Sequence, residues 1–297
     1  MEPLKEPINF FLKHISNISS YARNMQLDDI KNGSIKDYIN ILMEEEPISS
    51  PFTDGISITF PKTFLYLLYS VCYYCFINTE KIMELELSNA FDGNIIPDEF
   101  TEKAGLIINY SLNLRNRFIP WPSELLNPNS EDVLIKDTNV IFAYSLTYIY
   151  FHEYAHIKLG HCCCADKNTI LQQEIEADNF SLGIILDPDD NDITKRDYGI
   201  GIACAGIAML FAINEPQLLS QKTHPDIDIR LGNSMAYLNI IGKKENYYLY
   251  KLLTVGLVSF CDIHKIQISQ EIYDTVEDHY CELLRIVQEF KDNLREI

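Results

Sequence analysis

Residues 151–161 read FHEYAHIKLGH, in which His152, Glu153 and His156 form the pattern His-Glu-x-x-His. Residues four apart on a helix share a face, so both imidazoles can grip one Zn2+ at about 2.0–2.1 Å. Glu153 is turned about 100° from His152, placed to reach an activated water without ligating the ion itself. The spacing therefore points to hydrolysis, with Glu153 as general base. Chance would supply this pattern roughly 0.01 times in a chain of this composition, which weighs against two unrelated core histidines.

A hydrolytic zinc needs a third protein ligand and one open position. A third His six residues beyond His156 would fall at position 162, which is Cys162. His161 comes one residue early and follows Gly160, so it reads as a poor ligand, a cation facing the C-terminal end of the helix. The segment QQEIEAD (172–178) offers better. Thr169-x-x-Gln172 reads as a capping box that opens a helix running to Leu186, before Pro188. On that helix Glu174 and Asp178 share a face, while Glu176 points roughly 160° away from Glu174. Glu174 is expected as the third ligand. Asp178 is expected behind it, accepting the N–H of a ligating imidazole. Further on, THPDIDIR places His224 and Arg230 six apart. Either could donate to the oxyanion of a tetrahedral intermediate, a contribution of about 3–4 kcal/mol in such sites.

These residues must be held by helices. The stretch NVIFAYSLTYIY makes the motif helix apolar upstream, and Gly160 is a natural stop. Before it, GISITF (55–60) alternates apolar and polar residues and predicts a strand. A long helical pattern follows Pro61 to about Leu87, and another runs from about Glu99 to Arg117. A short helix is expected over Ile35–Glu45. IPWPSELLNPNSED (119–132) reads as loop. From Asp137 the pattern is helical, broken at Gly160, Asp187–Asp192, Glu215–Thr223 and Gly242–Glu245. Within Ser269–Arg295 the apolar spacing predicts an amphipathic helix. The expected class is mainly α with a small β element. Three segments are expected: 1–54, an N-terminal segment of weak definition; 55–125, a layer of strand plus helices; and 126–297, a helical zinc-peptidase core with C-terminal helices.

The 297 residues carry 24 Lys and Arg against 43 Asp and Glu, a net charge of −19. Such a chain is repelled by phosphate backbones and anionic membrane surfaces, so nucleic acid is not an expected partner. The uncharged runs 64–78 and 198–214 fall short of the 18 or so residues a span requires. They read as buried helices, with no firm membrane insertion and weak association left open. The N-terminus lacks an apolar signal core, and most of the eight cysteines sit in apolar runs, which predicts a reducing, cytoplasmic setting. Cys72-x-x-Cys75 reads as core packing. Three consecutive side chains cannot converge on one ion, so Cys162, Cys163 and Cys164 receive no function.

HEYAH with the trailing His161, then EIEAD, then THPxxxxR together resemble the gluzincin peptidases, whose third ligand lies in an ExEAD helix. More narrowly they resemble the Lit family of bacterial phage-exclusion peptidases. Trp121–Pro122 and the block ISITFPKTFLYLLY share in the likeness, which runs from about residue 55 to 240. The resemblance implies a gluzincin-type helical core in which His152, His156 and Glu174 bind zinc and Glu153 is the general base. It also implies a protein substrate, translation elongation factor Tu, cut after a phage-derived activator triggers the enzyme. The Cys162–Cys164 run and the acidic stretch DPDDNDITKRD depart from the family pattern. Two other readings stand beside it: a housekeeping or membrane-associated gluzincin with other substrates, and a non-enzymatic zinc-containing binding module.

Overall fold

A computed structural model describes residues 3–18, 20–36, 39–42, 46–91, 98–161, 166–186, 191–213, 226–238, 246–268 and 273–295. Among these residues it contains ten α-helices and one three-stranded sheet, the mainly α fold that the patterning predicts. Two helices near the N-terminus, α1 (Lys5–Ile15) and α2 (Ser20–Lys31), were not expected. Pro7, Phe11 and Ile15 form the buried stripe of α1, continued by the buried N-cap Leu4, an amphipathic spacing hidden in a polar-looking segment.

The sheet comprises β1 (Ile39–Leu42), β2 (Phe52–Thr53) and β3 (Ile58–Pro61) in the order β1-β3-β2. β3 is the strand expected in GISITF. β1 corrects the helix expected over Ile35–Glu45. Ile39 and Ile41 pack against the core, and the strand pairs parallel to β3 with Ile39 opposite Ile58. Branched residues at a spacing of two, with a partner strand available, override a weak local helical pattern.

Helix α3 (Lys62–Leu87) begins and ends where its sequence pattern does, and α4 (Glu99–Asn113) stops four residues short of its expected end. Trp121 packs edge-on against Tyr66, Tyr69 and Tyr110, and its indole N–H donates to the Leu126 carbonyl at 3.1 Å, which fastens the proline-rich loop to α3 and α4. Cys72 and Cys75 are buried on α3 as packing residues, with the Cys72 Sγ 3.6 Å from Ser145 Oγ.

The centre is α5 (Val133–Lys158), which carries His-Glu-x-x-His in its last two turns. Apolar nearly all round, it packs against α1, α3, α6 (Lys167–Ile185) and α7 (Asp192–Ala212). The approach of α5 and α7 depends on Gly201. A Cβ there would stand 2.5 Å from the Tyr144 Cβ and 2.9 Å from the Ser145 backbone nitrogen. Ser145 Oγ donates to the Gly201 carbonyl at 2.8 Å across the same crossing. Helices α8 (Ile227–Tyr237), α9 (Tyr247–His264) and α10 (Val276–Arg295) complete the described chain. Helix α10 is the amphipathic helix expected near the C-terminus. None of the described helices is long and apolar enough to cross a membrane.

Candidate metal centre

The end of α5 and the middle of α6 bring His152, His156 and Glu174 together, with one ligand-type atom from each lying within 4.8 Å of the others. The two Nε2 atoms are 3.2 Å apart. His152 Nε2 lies 3.4 Å from Glu174 Oε2, and His156 Nε2 lies 3.4 Å from Glu174 Oε1. A tetrahedral ion with bonds of about 2.0–2.1 Å needs ligand atoms about 3.3–3.4 Å apart. The donor set and its spacing therefore fit an ion of that kind, and this buried group could hold one.

Local sequence explains the placement. Asp132 caps α5 by accepting from the Leu134 N–H at 2.9 Å. At the far end Gly160 takes φ +67°, a conformation that favours glycine. Gly160 N–H donates to the Ile157 carbonyl at 3.2 Å and His161 N–H to the His156 carbonyl at 3.0 Å, a Schellman closure one turn beyond His156. Helix α6 starts earlier than expected. Asp166, not Thr169, is its N-cap, accepting from the Asn168 and Thr169 N–H groups at 3.0 and 3.3 Å. Thr169 sits in the first turn and donates its hydroxyl to Asp166 at 2.6 Å, so the expected Thr169–Gln172 capping box does not form. An ionised carboxylate is the stronger acceptor for those N–H groups. Ser181 Oγ donates to the Tyr148 carbonyl at 2.7 Å and ties α6 to α5 beside the cluster.

Asp178 stands behind His152, with Oδ1 2.9 Å from His152 Nδ1. The Tyr148 hydroxyl donates to the same oxygen at 2.9 Å. Arg230 closes on both carboxylate oxygens, Nε to Oδ2 at 2.8 Å and Nη2 to Oδ1 at 2.6 Å. Its Nη1 is 3.8 Å from Glu174 Oε2. Arg230, expected as an oxyanion donor, thus has its fork on Asp178, with its side chain only 10% exposed. His224 lies outside the described residues, as do Cys162, Cys163 and Cys164. Glu153 is buried on α5 next to His152.

The electrostatics follow from this packing. Burial would raise the Asp178 carboxyl, but the Arg230 charge and the His152 contact outweigh it and hold the group well below the usual carboxylate range. Burial and the Arg230 charge pull His152 down, yet its hydrogen bonds to Asp178 and Glu174 prevail and raise it. Burial, followed by the neighbouring His152, lowers His156, which favours the neutral imidazole that a metal requires.

Sequence reasoning missed Tyr148 and gave His161 a different neighbour. Tyr148 is one turn before His152 on the same helix face, which is the signal that could have found it. The His161 ring lies edge-on against His156, with their Nδ1 atoms 2.9 Å apart. A family model described as Peptidase U49 matches residues 58–252, about two thirds of the chain and the whole of this cluster. The chain belongs to the Peptidase U49 family. It is accordingly a peptidase. Neither a curated protein nor a solved structure matches it.

Proposed function

We propose that this member of the family is a zinc-dependent endopeptidase that cuts one specific cytosolic protein during phage infection. The observation that carries the zinc reading is the convergence of His152 Nε2, His156 Nε2 and the Glu174 carboxylate at 3.2–3.4 Å from one another. Two imidazoles and one carboxylate are the protein ligands of a catalytic rather than a structural zinc. A zinc ion held there supplies Lewis acidity to a water and to the scissile carbonyl.

The chain's own groups do the rest. Glu153 takes a proton from the attacking water and returns it to the leaving amide nitrogen. Asp178 fixes His152 from behind, and Arg230 holds Asp178 in place while its charge lies beside Glu174. That engagement gives Arg230 a positioning role and leaves His224 as the oxyanion donor of the pair flagged in THPDIDIR. The motif resemblance supports elongation factor Tu as substrate, a phage-derived activator and a cytoplasmic site of action.

Mapping new protein N-termini in bacteria that express the chain or its Glu153→Gln variant, with and without phage, tests the reading. One dominant cut, in elongation factor Tu, is expected only with Glu153 present and only on infection. Identical cuts in the variant would contradict the base assignment. A Glu153-dependent cut in another protein would remove the proposed substrate.

A further inference from the structure

His161 and Glu176 have no part in the scheme above, yet both lie against it. The Schellman closure at Gly160 turns the chain back so that the His161 ring meets the outer edge of His156. His161 Nδ1 is 2.9 Å from His156 Nδ1, and His161 Nε2 is 3.3 Å from Glu176 Oε2. Glu176 is itself held by the Gln172 amide, which donates to Oε1 at 3.0 Å. The His161 side chain is only 6% exposed, whereas that of Glu176 is 47% exposed.

We infer that His161 and Glu176 form a relay that sets the tautomer and orientation of His156 as a ligand, a reading that rests on the metal centre proposed above. His156 turns Nε2 toward the cluster, so that nitrogen must present a lone pair and the proton must sit on Nδ1. The Nδ1–H then needs an acceptor, and the only atom the relay offers it is His161 Nδ1. His161 can accept there only as the tautomer protonated at Nε2. That N–H in turn faces a carboxylate, Glu176. Each step fixes the next, and the chain ends on a group that only accepts. His152 has Asp178 for the same purpose. The two ligands are thus oriented by different devices, a direct carboxylate for one and an imidazole with a carboxylate behind it for the other. His161 and Glu176 are positioning residues. Imidazoles that ligate metals regularly donate their second N–H to such partners, and losing the partner weakens metal binding about 10–100-fold.

Zinc affinity, measured by chelator competition on the full chain, is the test, with tautomers read from long-range 1H–15N NMR correlations of the zinc-loaded, unmutated protein. His161→Ala is expected to weaken zinc binding about 10–100-fold, and Glu176→Ala to weaken it less. His161→Gln, whose amide oxygen can accept the His156 N–H, is expected to recover part of the loss. The NMR signature expected is His156 bound through Nε2 with a proton on Nδ1, and His161 protonated at Nε2. Unchanged zinc affinity in His161→Ala, or a proton on His161 Nδ1, would overturn the relay. The NMR arm holds even where a variant fails to fold. Failure of the unmutated chain to bind zinc would instead remove the metal centre on which the relay rests.

Discussion

Asp178 accepts from Tyr148, His152 and Arg230 at 2.6–2.9 Å, so one buried carboxylate gathers three donors from two other helices. A charge-assisted fork of this kind is both strong and geometrically demanding. Removing the acceptor charge leaves the buried Arg230 guanidinium without its nearest counterion, with the Glu174 carboxylate beside it at 3.8 Å. Asp178→Asn should therefore lower zinc affinity about 10–100-fold and destabilise the fold by about 3–5 kcal/mol. Chelator competition and urea unfolding of the variant read the two effects separately. Equal stability and equal affinity in Asp178→Asn would mean that Asp178 does not organise the site. At this scale the sequence was informative where spacing alone decides geometry. His152 and His156 pair on α5, and Glu174 and Asp178 on α6, because residues four apart share a helix face, and the packing of α6 on α5 then brings the two pairs together. It was less informative where a side chain's partner comes from elsewhere in the chain. Nothing local to THPDIDIR says that Arg230 meets Asp178, since that contact depends on how α8 crosses α6.

Helix α5 holds His152 and His156 in place only while its neighbours fit around it, and its crossing with α7 is a close one. The space at Gly201 is too small for any side chain, with Tyr144 Cβ at 2.5 Å. Gly201→Ala adds helix propensity but forces two helices apart, and overpacking of a close crossing costs about 1–3 kcal/mol. The variant is expected to unfold at lower urea concentration and, on the proposed metal centre, to bind zinc more weakly, because His152 and His156 move with α5. A variant as stable as the parent would show that the crossing has slack. Helix limits set by strong punctuation were legible: α3 opens after Pro61, and α5 closes at Gly160. The start of α6 was not, because both Asp166 and Thr169 are competent caps and the choice follows the better acceptor. Strand β1 was illegible for a different reason, since its partner β3 lies beyond any local window.

The family match spans residues 58–252, yet the described chain outside it contributes ionic contacts to the helices of the site. Asp29 on α2 accepts from the Tyr154 hydroxyl and from Lys158 at 2.8 Å, gripping the back of the motif helix. Lys291 on α10, fully buried, pairs with Asp226 at 2.9 Å and with Asp228, at the start of the helix that carries Arg230. Lys291→Met leaves two carboxylates buried without their cation, and the expected loss is about 3–5 kcal/mol. Combining it with Asp226→Asn and Asp228→Asn should recover much of that loss, since no buried charge then remains unpaired. Urea unfolding of both variants checks this, and an unperturbed Lys291→Met would contradict the anchoring role of α10. These anchors escaped sequence reasoning because a lone Asp or Lys on an amphipathic helix reads as a solvated charge.

The proposed chemistry depends on a catalytic zinc held by His152, His156 and Glu174. X-ray absorption on the purified, zinc-loaded chain and on Glu174→Ala decides whether they hold it. One zinc per chain is expected, surrounded by nitrogen and oxygen donors at about 2.0–2.1 Å, with most of the metal lost in Glu174→Ala. A sulfur shell at about 2.3 Å, or a Glu174→Ala protein that keeps its full zinc complement, would contradict it.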